Sequence, residues 1–301
     1  MRKLGLNTGI APIAAMAMVF TATAFAGTMN RQSFVSVTGN DTNPCTATLP
    51  CATINHALTV TNSGGVVTLA TSGSYAPATL SQAVTLIAPA SVDASIATPA
   101  AGNAITVSTT GNVTVNGITL RGQGEGTDGI LVSQVGVLRL NNVTVQNFTE
   151  TGIEFDAAGG EMAMYNSQSN DNGHDGLRVN GSGAHAYVEN SAFDRNAFAG
   201  GDSVDGKLTI SDSNAHFNDI GFYANGGSVT LYNARSIFNT TGLQVSANGH
   251  MHFANCLVSD NTTGWNVASG GVLSGSEPGT TLFAPGQTPN SGTMSAPVNL
   301  R

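Results

Sequence analysis

Two consecutive stretches of this chain decide its fold: LRLNNVTVQNFTETGIEF at residues 138–155 and MAMYNSQSNDNGHDGLRV at residues 162–179. They share one pattern, in which an Asn is followed by a second Asn and then by a Gly and an apolar residue. The first position of this pattern recurs six times at nearly even spacing: Asn142, Asn166, Asn190, Asp212, Asn233 and Asn255. A repeat of this length without strong helix formers indicates a solenoid built from short strands and turns.

Each repeat contains three short segments with strand character. Apolar residues alternate just before the first Asn, as at Leu138 and Leu140, which predicts a strand with one buried and one wet face. A second segment follows the first Asn, and a third follows the Gly, as at residues 153–155. The sequence therefore predicts an all-β solenoid, a parallel β-helix with about 21–25 residues and three strands per coil.

The second Asn of the pattern forms a row of its own: Asn147, Asn172, Asn196, Asn218, Asn239 and Asn261. We predict that these side chains form a ladder, in which each bonds to its neighbours in adjacent coils and satisfies backbone groups at a bend. We also expect the Gly that follows each of them to relieve a positive φ angle.

The repeats, together with FVSVTGND at residues 34–41 and PCATI at residues 50–54, resemble right-handed parallel β-helix proteins of the pectin-lyase-like superfamily. The resemblance implies a capping helix at the N-terminal end, for which residues 52–61 are suited because Ile54, Ala57 and Leu58 share one helical face. We expect an N-terminal segment with this helix at residues 27–65, the β-helix at residues 66–271, and a tail at residues 272–301. The resemblance also implies that long polysaccharides bind along an outward sheet face.

Residues 1–26 have the features of a secretory signal peptide. Arg2 and Lys3 precede an apolar stretch at residues 11–20, and small residues occupy the positions that a signal peptidase reads, at Ala24 and Ala26. We therefore expect a secreted, periplasmic or cell-surface protein that begins near Gly27 and has no membrane span in the mature chain.

We expect Cys45 and Cys51 to form a disulfide, because an exported protein enters an oxidising compartment. Cys256 occupies a position that other repeats fill with small residues, which predicts a buried free thiol. The whole chain has a formal charge of −8 and only 9% charged residues. This balance argues against a nucleic-acid partner, whose phosphates require a basic surface.

Tyrosine is frequent on the outward face of the strand that precedes the first Asn. Exposed aromatic rings suit sugar binding, although tyrosine is also common on wet strand faces. We hypothesise that polysaccharide binds to aromatic and basic side chains at outward positions: Tyr165, Tyr187, Tyr232, Tyr223, Arg139 and His252.

The strand after the Gly places Glu154, Arg178 and Tyr223 outward on successive or near-successive coils. The coil between those of Arg178 and Tyr223 has either Asp202 or Ser203 at the matching position. With Asp202, the two carboxyl residues stand two coils apart, about 9.6 Å by strand spacing, near the upper end of the range for an inverting glycosidase pair. The alternative is a structural cross-strand ion pair around Arg178.

The turn NGHDG places His174 beside Asp175, either as a general base or as ordinary turn residues. The candidate catalytic residues are therefore Glu154, His174, Asp175 and Arg178. His250 and His252 lack an evident third ligand, so the sequence predicts no metal site there.

The resemblance implies a calcium-holding acidic cluster in lyases of the superfamily and an aspartate cluster in its hydrolases, and neither set maps onto this sequence. Three functions follow as hypotheses. The first is engagement of polysaccharide without a clear catalytic motif. The second is a polysaccharide lyase, with calcium as a possible cofactor, or a glycoside hydrolase. The third is a structural or adhesive surface protein.

Overall fold

The computed structural model describes residues 29–275 and the backbone of two further short strands at residues 282–283 and 293–295. The predicted signal peptide lies outside these residues. The described chain winds through three parallel sheets in turn, so that each coil contributes one strand to each sheet.

Sheet 1 has twelve strands, which in spatial order are Asn30–Val35, Thr61–Leu69, Val84–Ile87, Val113–Asn116, Val137–Asn141, Glu161–Tyr165, His185–Glu189, Lys207–Ser211, Ser228–Tyr232, His250–Ala254, Val272–Gly275 and Thr293–Ser295. Sheet 2 has ten: Gly73–Tyr75, Ala94–Ala97, Ile118–Arg121, Thr144–Gln146, Gln168–Asn170, Ala192–Asp194, Asn214–His216, Arg235–Ile237, Leu257–Ser259 and Leu282–Phe283. Sheet 3 has nine: Ala78–Leu80, Ile105–Ser108, Ile130–Gln134, Ile153–Phe155, Leu177–Val179, Ala199–Ser203, Ile220–Ala224, Thr241–Val245 and Thr263–Val267.

Strand register follows the sequence repeat. In sheet 1, Leu138 pairs with Met162, and Met162 pairs with Ala186. Residues that pair in neighbouring strands are therefore one repeat apart in the sequence. These residues are buried, whereas Arg139 and Tyr187 between them are exposed. The apolar interior is one continuous cluster that runs along the solenoid. The predicted parallel β-helix with three strands per coil is therefore confirmed.

The buried Asn ladder runs through five residues: Asn172, Asn196, Asn218, Asn239 and Asn261. The side-chain amide of each donates to the carbonyl oxygen of the next, at 2.9–3.2 Å from nitrogen to oxygen. The same carbonyl oxygen accepts the backbone N–H of the preceding ladder Asn. Each coil is thus bonded to the next inside the core, where an unpaired amide would be costly.

Asn147, which the sequence pattern places in the ladder, lies outside it. Its side chain is exposed, and the buried position belongs to Phe148, whose backbone N–H donates to the Asn172 side chain at 3.3 Å. Asn147 has a φ of 61° and matches Asp171, which has a φ of 57°. The two residues share the left-handed conformation that makes the bend, so Asn147 precedes the ladder by one residue.

The residue with positive φ is therefore the one that precedes each ladder Asn. The prediction that the Gly after each ladder Asn has a positive φ is wrong. Gly176 has no positive φ; a Cβ there would lie 2.7 Å from the Gly200 carbonyl oxygen and 2.8 Å from Asn196 Nδ2. Glycine is required because successive coils approach each other closely at this position.

The capping helix is Ile54–Val60, shorter than the predicted 52–61. Thr53 caps it, because its hydroxyl accepts the His56 N–H, and Ile54, Ala57 and Leu58 are buried beneath it. The helix ends at Val60, and the next strand starts at Thr61, before the predicted start of the β-helix at residue 66. The helix lies beside Ala78–Leu80, the first strand of sheet 3, and Asn55 Oδ1 accepts the Thr79 N–H at 2.9 Å. It therefore covers an edge that would otherwise be open to pairing with another strand.

The strand Asn30–Val35 extends sheet 1 beyond the first full coil, a pairing that the sequence did not predict. Cys45 and Cys51 form the expected disulfide, and Cys256 is buried with a free thiol. At the other end, Val272–Gly275 continues sheet 1, so the solenoid extends past the predicted boundary at Gly271. Within the described residues, no helix has the length and apolar character needed to cross a membrane.

Candidate active site

The outer face of sheet 3 carries one row of polar side chains from adjacent strands. Glu154 pairs with Arg178, Arg178 with Asp202, and Asp202 with Tyr223. Asp202, rather than Ser203, therefore lies next to Arg178. Their neighbours in each strand, such as Ile153 and Phe155, are inward and fully buried, so the alternation of the strand fixes which residues face outward.

Arg178 lies between two buried carboxyl groups. Its Nε is 3.9 Å from Glu154 Oε1 and 4.0 Å from Asp202 Oδ2. Both distances are too long for hydrogen bonds. Glu154 is 9% exposed and Asp202 is 1% exposed, whereas the Arg178 side chain is 32% exposed. Arg178 Nε is itself buried and has no hydrogen-bond partner among the described residues. The guanidinium charge is therefore only loosely matched by the two carboxyl groups beside it, which argues against a purely structural ion pair.

Burial is the main cause of the raised pKa of both Glu154 and Asp202. It raises the pKa of Glu154 to about 8, because the Arg178 charge offsets desolvation only in part and Asp156 adds to the shift. It raises the pKa of Asp202 to about 7, with the negative charge of Asp175 as a further cause. Neither Asp202 oxygen has a hydrogen-bond partner within ordinary distance among the described residues. Near neutral pH, Glu154 is therefore mainly protonated.

We expect this burial to make the protein less stable as pH rises. A carboxyl group with a raised pKa binds its proton more tightly in the folded state, so the free energy of unfolding falls between the unfolded pKa, near 4, and the folded one. Asp202→Asn removes the ionisable group, and we expect it to raise the free energy of unfolding at pH 9 by about 2–4 kcal/mol, with little effect near pH 4. Urea denaturation at both pH values measures this difference.

Asp219→Asn is the matched control for this measurement, because Asp219 is exposed on the next coil. An equal stabilisation by Asp219→Asn, or a stabilisation by Asp202→Asn that does not change with pH, would contradict the assignment of a buried ionisable Asp202.

His174 and Asp175 form a hydrogen-bonded pair at the edge of the same face. His174 Nδ1 is 2.8 Å from Asp175 Oδ2, and the other Asp175 oxygen accepts the Ala199 N–H at 2.9 Å. Asp175 is fully buried, while the His174 side chain is 39% exposed. The hydrogen bond to Asp175 raises the pKa of His174, against the effect of desolvation. Donation from Nδ1 to Asp175 leaves Nε2 as the nitrogen available to a ligand.

Phe198 connects this pair to the row on sheet 3. Its ring centroid is 4.8 Å from that of His174 and 6.0 Å from that of Tyr223. Phe198 follows His174 by one repeat and pairs with it through a backbone hydrogen bond. Phe198 was not among the site residues predicted from the sequence, although the repeat spacing places it beside His174 in the next coil.

The other acidic residues beside this face were also missed. Asp156 follows Glu154 by two residues and accepts the Asn180 side-chain amide at 3.0 Å. Burial raises the pKa of Asp128, which accepts the Thr151 N–H. Alternation along the strand would have indicated Asp156, because residues two apart face the same way.

The outward tyrosines do not form one surface. Tyr165 and Tyr187 lie together on sheet 1, with ring centroids 6.0 Å apart. Tyr232 is on the same sheet, but it pairs with Ser211 in a later coil. Tyr223 belongs to sheet 3 and is only 9% exposed. The six predicted binding residues are thus distributed over separate regions.

Arg139 lies close to the Tyr165 and Tyr187 pair, since it pairs with Ala163, which in turn pairs with Tyr187. His252 is two strands beyond Thr209, the next partner of Tyr187, and its Nδ1 lies 3.0 Å from Ser274 Oγ.

Within residues 29–275, the side chains that approach each other closely enough to share a metal ion are Cys45, Cys51 and His56. The two cysteines are joined in a disulfide, which removes their thiolates as ligands. The acidic residues around Arg178 do not form such a group, so they do not fit the calcium cluster that the resemblance implies.

These features define a parallel β-helix protein with a polar, partly buried cluster on one sheet. The right-handed β helix region family matches residues 103–281, and the chain belongs to this family. No curated protein matches the chain.

Solved structures of other proteins are similar to it, and two of them are the following. One is the A-module of the mannuronan C-5 epimerase AlgE4 of Azotobacter vinelandii, with a TM-score of 0.53 and 14% identity over 79% of this chain and 90% of that one. The other is the pectate lyase Pel9A, with a TM-score of 0.48 and 16% identity over 90% of this chain and 78% of that one.

Proposed function

We propose that this protein is an enzyme that removes the proton next to the carboxylate of a uronate residue in an acidic polysaccharide. One observation carries this function. The sheet 3 cluster consists of Glu154, His174, Asp175, Arg178 and Asp202. Its partly exposed groups are a cation, Arg178, and a potential base, His174, while the carboxyl groups beside them are buried. The similar fold of an enzyme named as a mannuronan C-5 epimerase supports a polysaccharide substrate.

Arg178 is proposed to bind the uronate carboxylate. A guanidinium presents a planar set of donors that matches a carboxylate, and its loose contacts leave those donors available. Because Glu154 is mainly protonated near neutral pH, it does not cancel the Arg178 charge. As the proton leaves the adjacent carbon, negative charge develops on the same carboxylate, where Arg178 stabilises it.

His174 is proposed to accept the proton at Nε2, with Asp175 holding the ring through Nδ1. The carbanion then has two fates. Return of a proton from solvent water to the opposite face of the carbon inverts its configuration. Loss of the neighbouring glycosidic oxygen breaks the chain and leaves a double bond, and that oxygen needs a proton, which the neutral Glu154 carboxyl can donate.

A panel of acidic and neutral polysaccharides, incubated with the protein with and without calcium, tests the function. Chain length, new reducing ends, ultraviolet absorbance from an unsaturated uronate and uronate configuration by nuclear magnetic resonance are measured for wild type and His174→Gln. Change confined to acidic polysaccharides and lost in the variant is the expected result. Absence of change in every polysaccharide, in absorbance, chain length and uronate configuration alike, would overturn catalysis and leave binding or a structural role.

Glycoside hydrolysis is the second candidate. Arg178 Nε is 3.9 Å from Glu154 Oε1 and 4.0 Å from Asp202 Oδ2. These two carboxyl oxygens are therefore at most about 8 Å apart. Carboxyl pairs of glycosidases are spaced from about 5 Å to 9.5 Å, and one member has a raised pKa. Hydrolysis would produce reducing ends without the ultraviolet absorbance of an unsaturated product.

We also propose that the protein works outside the cytoplasm. The disulfide between Cys45 and Cys51 supports this location, because such bonds persist in oxidising compartments. Detection of the protein in the extracellular or periplasmic fraction, with residues 1–26 removed, is the corresponding test.

A further inference from the structure

Two exposed phenylalanine rings are stacked at the bend between sheet 2 and sheet 3. Phe217 follows the sheet 2 strand Asn214–His216, and Phe238 follows the next strand of that sheet, Arg235–Ile237. The ring centroids are 5.3 Å apart and the ring planes differ by 11°. The two residues remain 58% and 54% exposed, so the stack leaves much of their apolar surface in water. Covering that surface would be favourable.

The backbone at this bend is also unfavourable for phenylalanine. Phe217 and Phe238 both have a φ of 60°, in the left-handed region. The same position is held by Asn147 and Asp171 in earlier coils and by Asp260 in the next one. Short polar side chains tolerate this conformation, whereas a bulky residue there is an outlier. Backbone strain of this kind is concentrated at functional sites.

Charged residues of opposite sign flank the two rings in the same row of bends. Along the solenoid the order is Arg195, Phe217, Phe238 and Asp260, because the sheet 2 strands that precede them are consecutive neighbours. Successive members are about 4.8 Å apart, the spacing of paired strands. Arg195 and Asp260 are both exposed. Arg195 donates to Asp171 from Nε and Nη2, at 2.7 and 2.9 Å, so its Nη1 can donate to a second carboxylate.

We propose that this row of bends binds a second copy of the chain. A twofold axis between the two rings places the copies antiparallel. Phe217 of each copy then faces Phe238 of the other, and Arg195 of each faces Asp260 of the other. One surface thus supplies both the apolar contact and the opposite charges, as the self-complementary interface of a twofold dimer requires.

The inference does not rest on the proposed catalytic function. A ridge of two rings and two flanking charges is smaller than a standard protein interface, so the dimer is weak and depends on protein concentration. Sedimentation equilibrium of the wild-type protein from about 1 µM to 1 mM covers the range in which such interfaces dissociate. We expect a reversible shift from monomer to dimer within that range.

The double variant Phe217→Asn with Phe238→Asn tests the rings. Asparagine suits the left-handed conformation of the bend, so the variant removes the rings without adding strain. We expect it to weaken the dimer Kd at least about tenfold, because buried aromatic residues dominate interface energetics. Tyr232→Ala is the matched control, since it removes an exposed aromatic ring from sheet 1 and should dimerise as wild type does. Circular dichroism and thermal unfolding verify that both proteins are folded.

Charge exchange tests the antiparallel arrangement. Arg195→Asp alone and Asp260→Arg alone each place like charges opposite one another in a homodimer, so each variant should dimerise more weakly than wild type. In an equimolar mixture, the two native residues of the pair face each other at one end of the heterodimer, and the two introduced residues do so at the other end. The mixture should therefore associate more strongly than either variant alone.

Three results would each overturn the proposal. The first is a wild-type protein that stays monomeric over the whole concentration range. The second is wild-type dimerisation by the double phenylalanine variant, or an equal loss in Tyr232→Ala. The third is a mixture of the two charge variants that associates no better than its components.

Discussion

Arg178→Met is expected to lower kcat/KM on the responsive acidic polysaccharide by about 10²- to 10³-fold, the usual loss when one stabilising donor of a developing anion is removed. Methionine keeps much of the side-chain volume but has no charge and no donor. We expect kcat to fall along with kcat/KM, because the interaction strengthens as the carboxylate gains charge. Initial rates on the acidic substrate, measured over a range of substrate concentrations, provide both constants.

Arg235→Met is the control for loss of an arginine, since Arg235 is exposed on sheet 2. Arg178→Lys retains the charge without the planar donor set, and its activity should lie between those of wild type and Arg178→Met. An Arg178→Met protein whose kcat/KM stays within threefold of the wild-type value would exclude Arg178 from the reaction.

Asn196→Ala is expected to lower the free energy of unfolding by about 3–5 kcal/mol, the largest effect on stability that we predict. The Asn196 side chain makes four buried hydrogen bonds: it accepts two from Asn172 and donates to Asn218 Oδ1 and to the Ser169 carbonyl oxygen. Each contributes about 1 kcal/mol, and the buried partners left unsatisfied add to the loss. Thermal unfolding and urea titration measure it.

Asn147→Gly is the comparison variant, because Asn147 has the positive φ of the bend but no place in the ladder. Glycine tolerates that conformation, so the change should cost less than about 1 kcal/mol. Equal losses from the two variants would mean that the ladder contributes nothing beyond the bend itself. Because coils contact only their neighbours, hydrogen exchange in Asn196→Ala should accelerate most in the coils around it.

Much of the fold could be predicted from the sequence because a β-helix repeats its physical requirements at each coil. Alternation at Leu138 and Leu140 and the recurrence of Asn and Gly predicted three strands in each coil and parallel pairing between coils. The error at Asn147 had a local cause: in this coil Asn occupies the positive-φ position of the bend, and Phe148 occupies the buried position that Asn fills in later coils. The end of the solenoid was missed because Val272–Gly275 pairs in sheet 1 without the Asn and Gly of the repeat.

The candidate site was predictable only in part. Period-two alternation placed Glu154 and Arg178 on one outward row, but it left Asp202 and Ser203 as alternatives, because strand register across coils of unequal length is not set by alternation alone. The predicted binding residues are spread over more than one surface, because one sequence repeat supplies three different faces: Tyr223 lies on sheet 3, whereas Tyr165 and Tyr187 lie on sheet 1. The loose Arg178 contacts and the burial of Asp175 depend on how neighbouring coils pack, and no spacing in the sequence reports them.

The most direct measurement is a nuclear magnetic resonance spectrum of the responsive acidic polysaccharide after incubation with the protein in deuterium oxide. Removal of the proton next to the carboxylate predicts either deuterium at that carbon with inverted configuration, or the vinyl proton of an unsaturated uronate. Both signals should disappear with Arg178→Met. New reducing ends without either signal would assign hydrolysis instead, and an unchanged spectrum would contradict catalysis at the sheet 3 cluster.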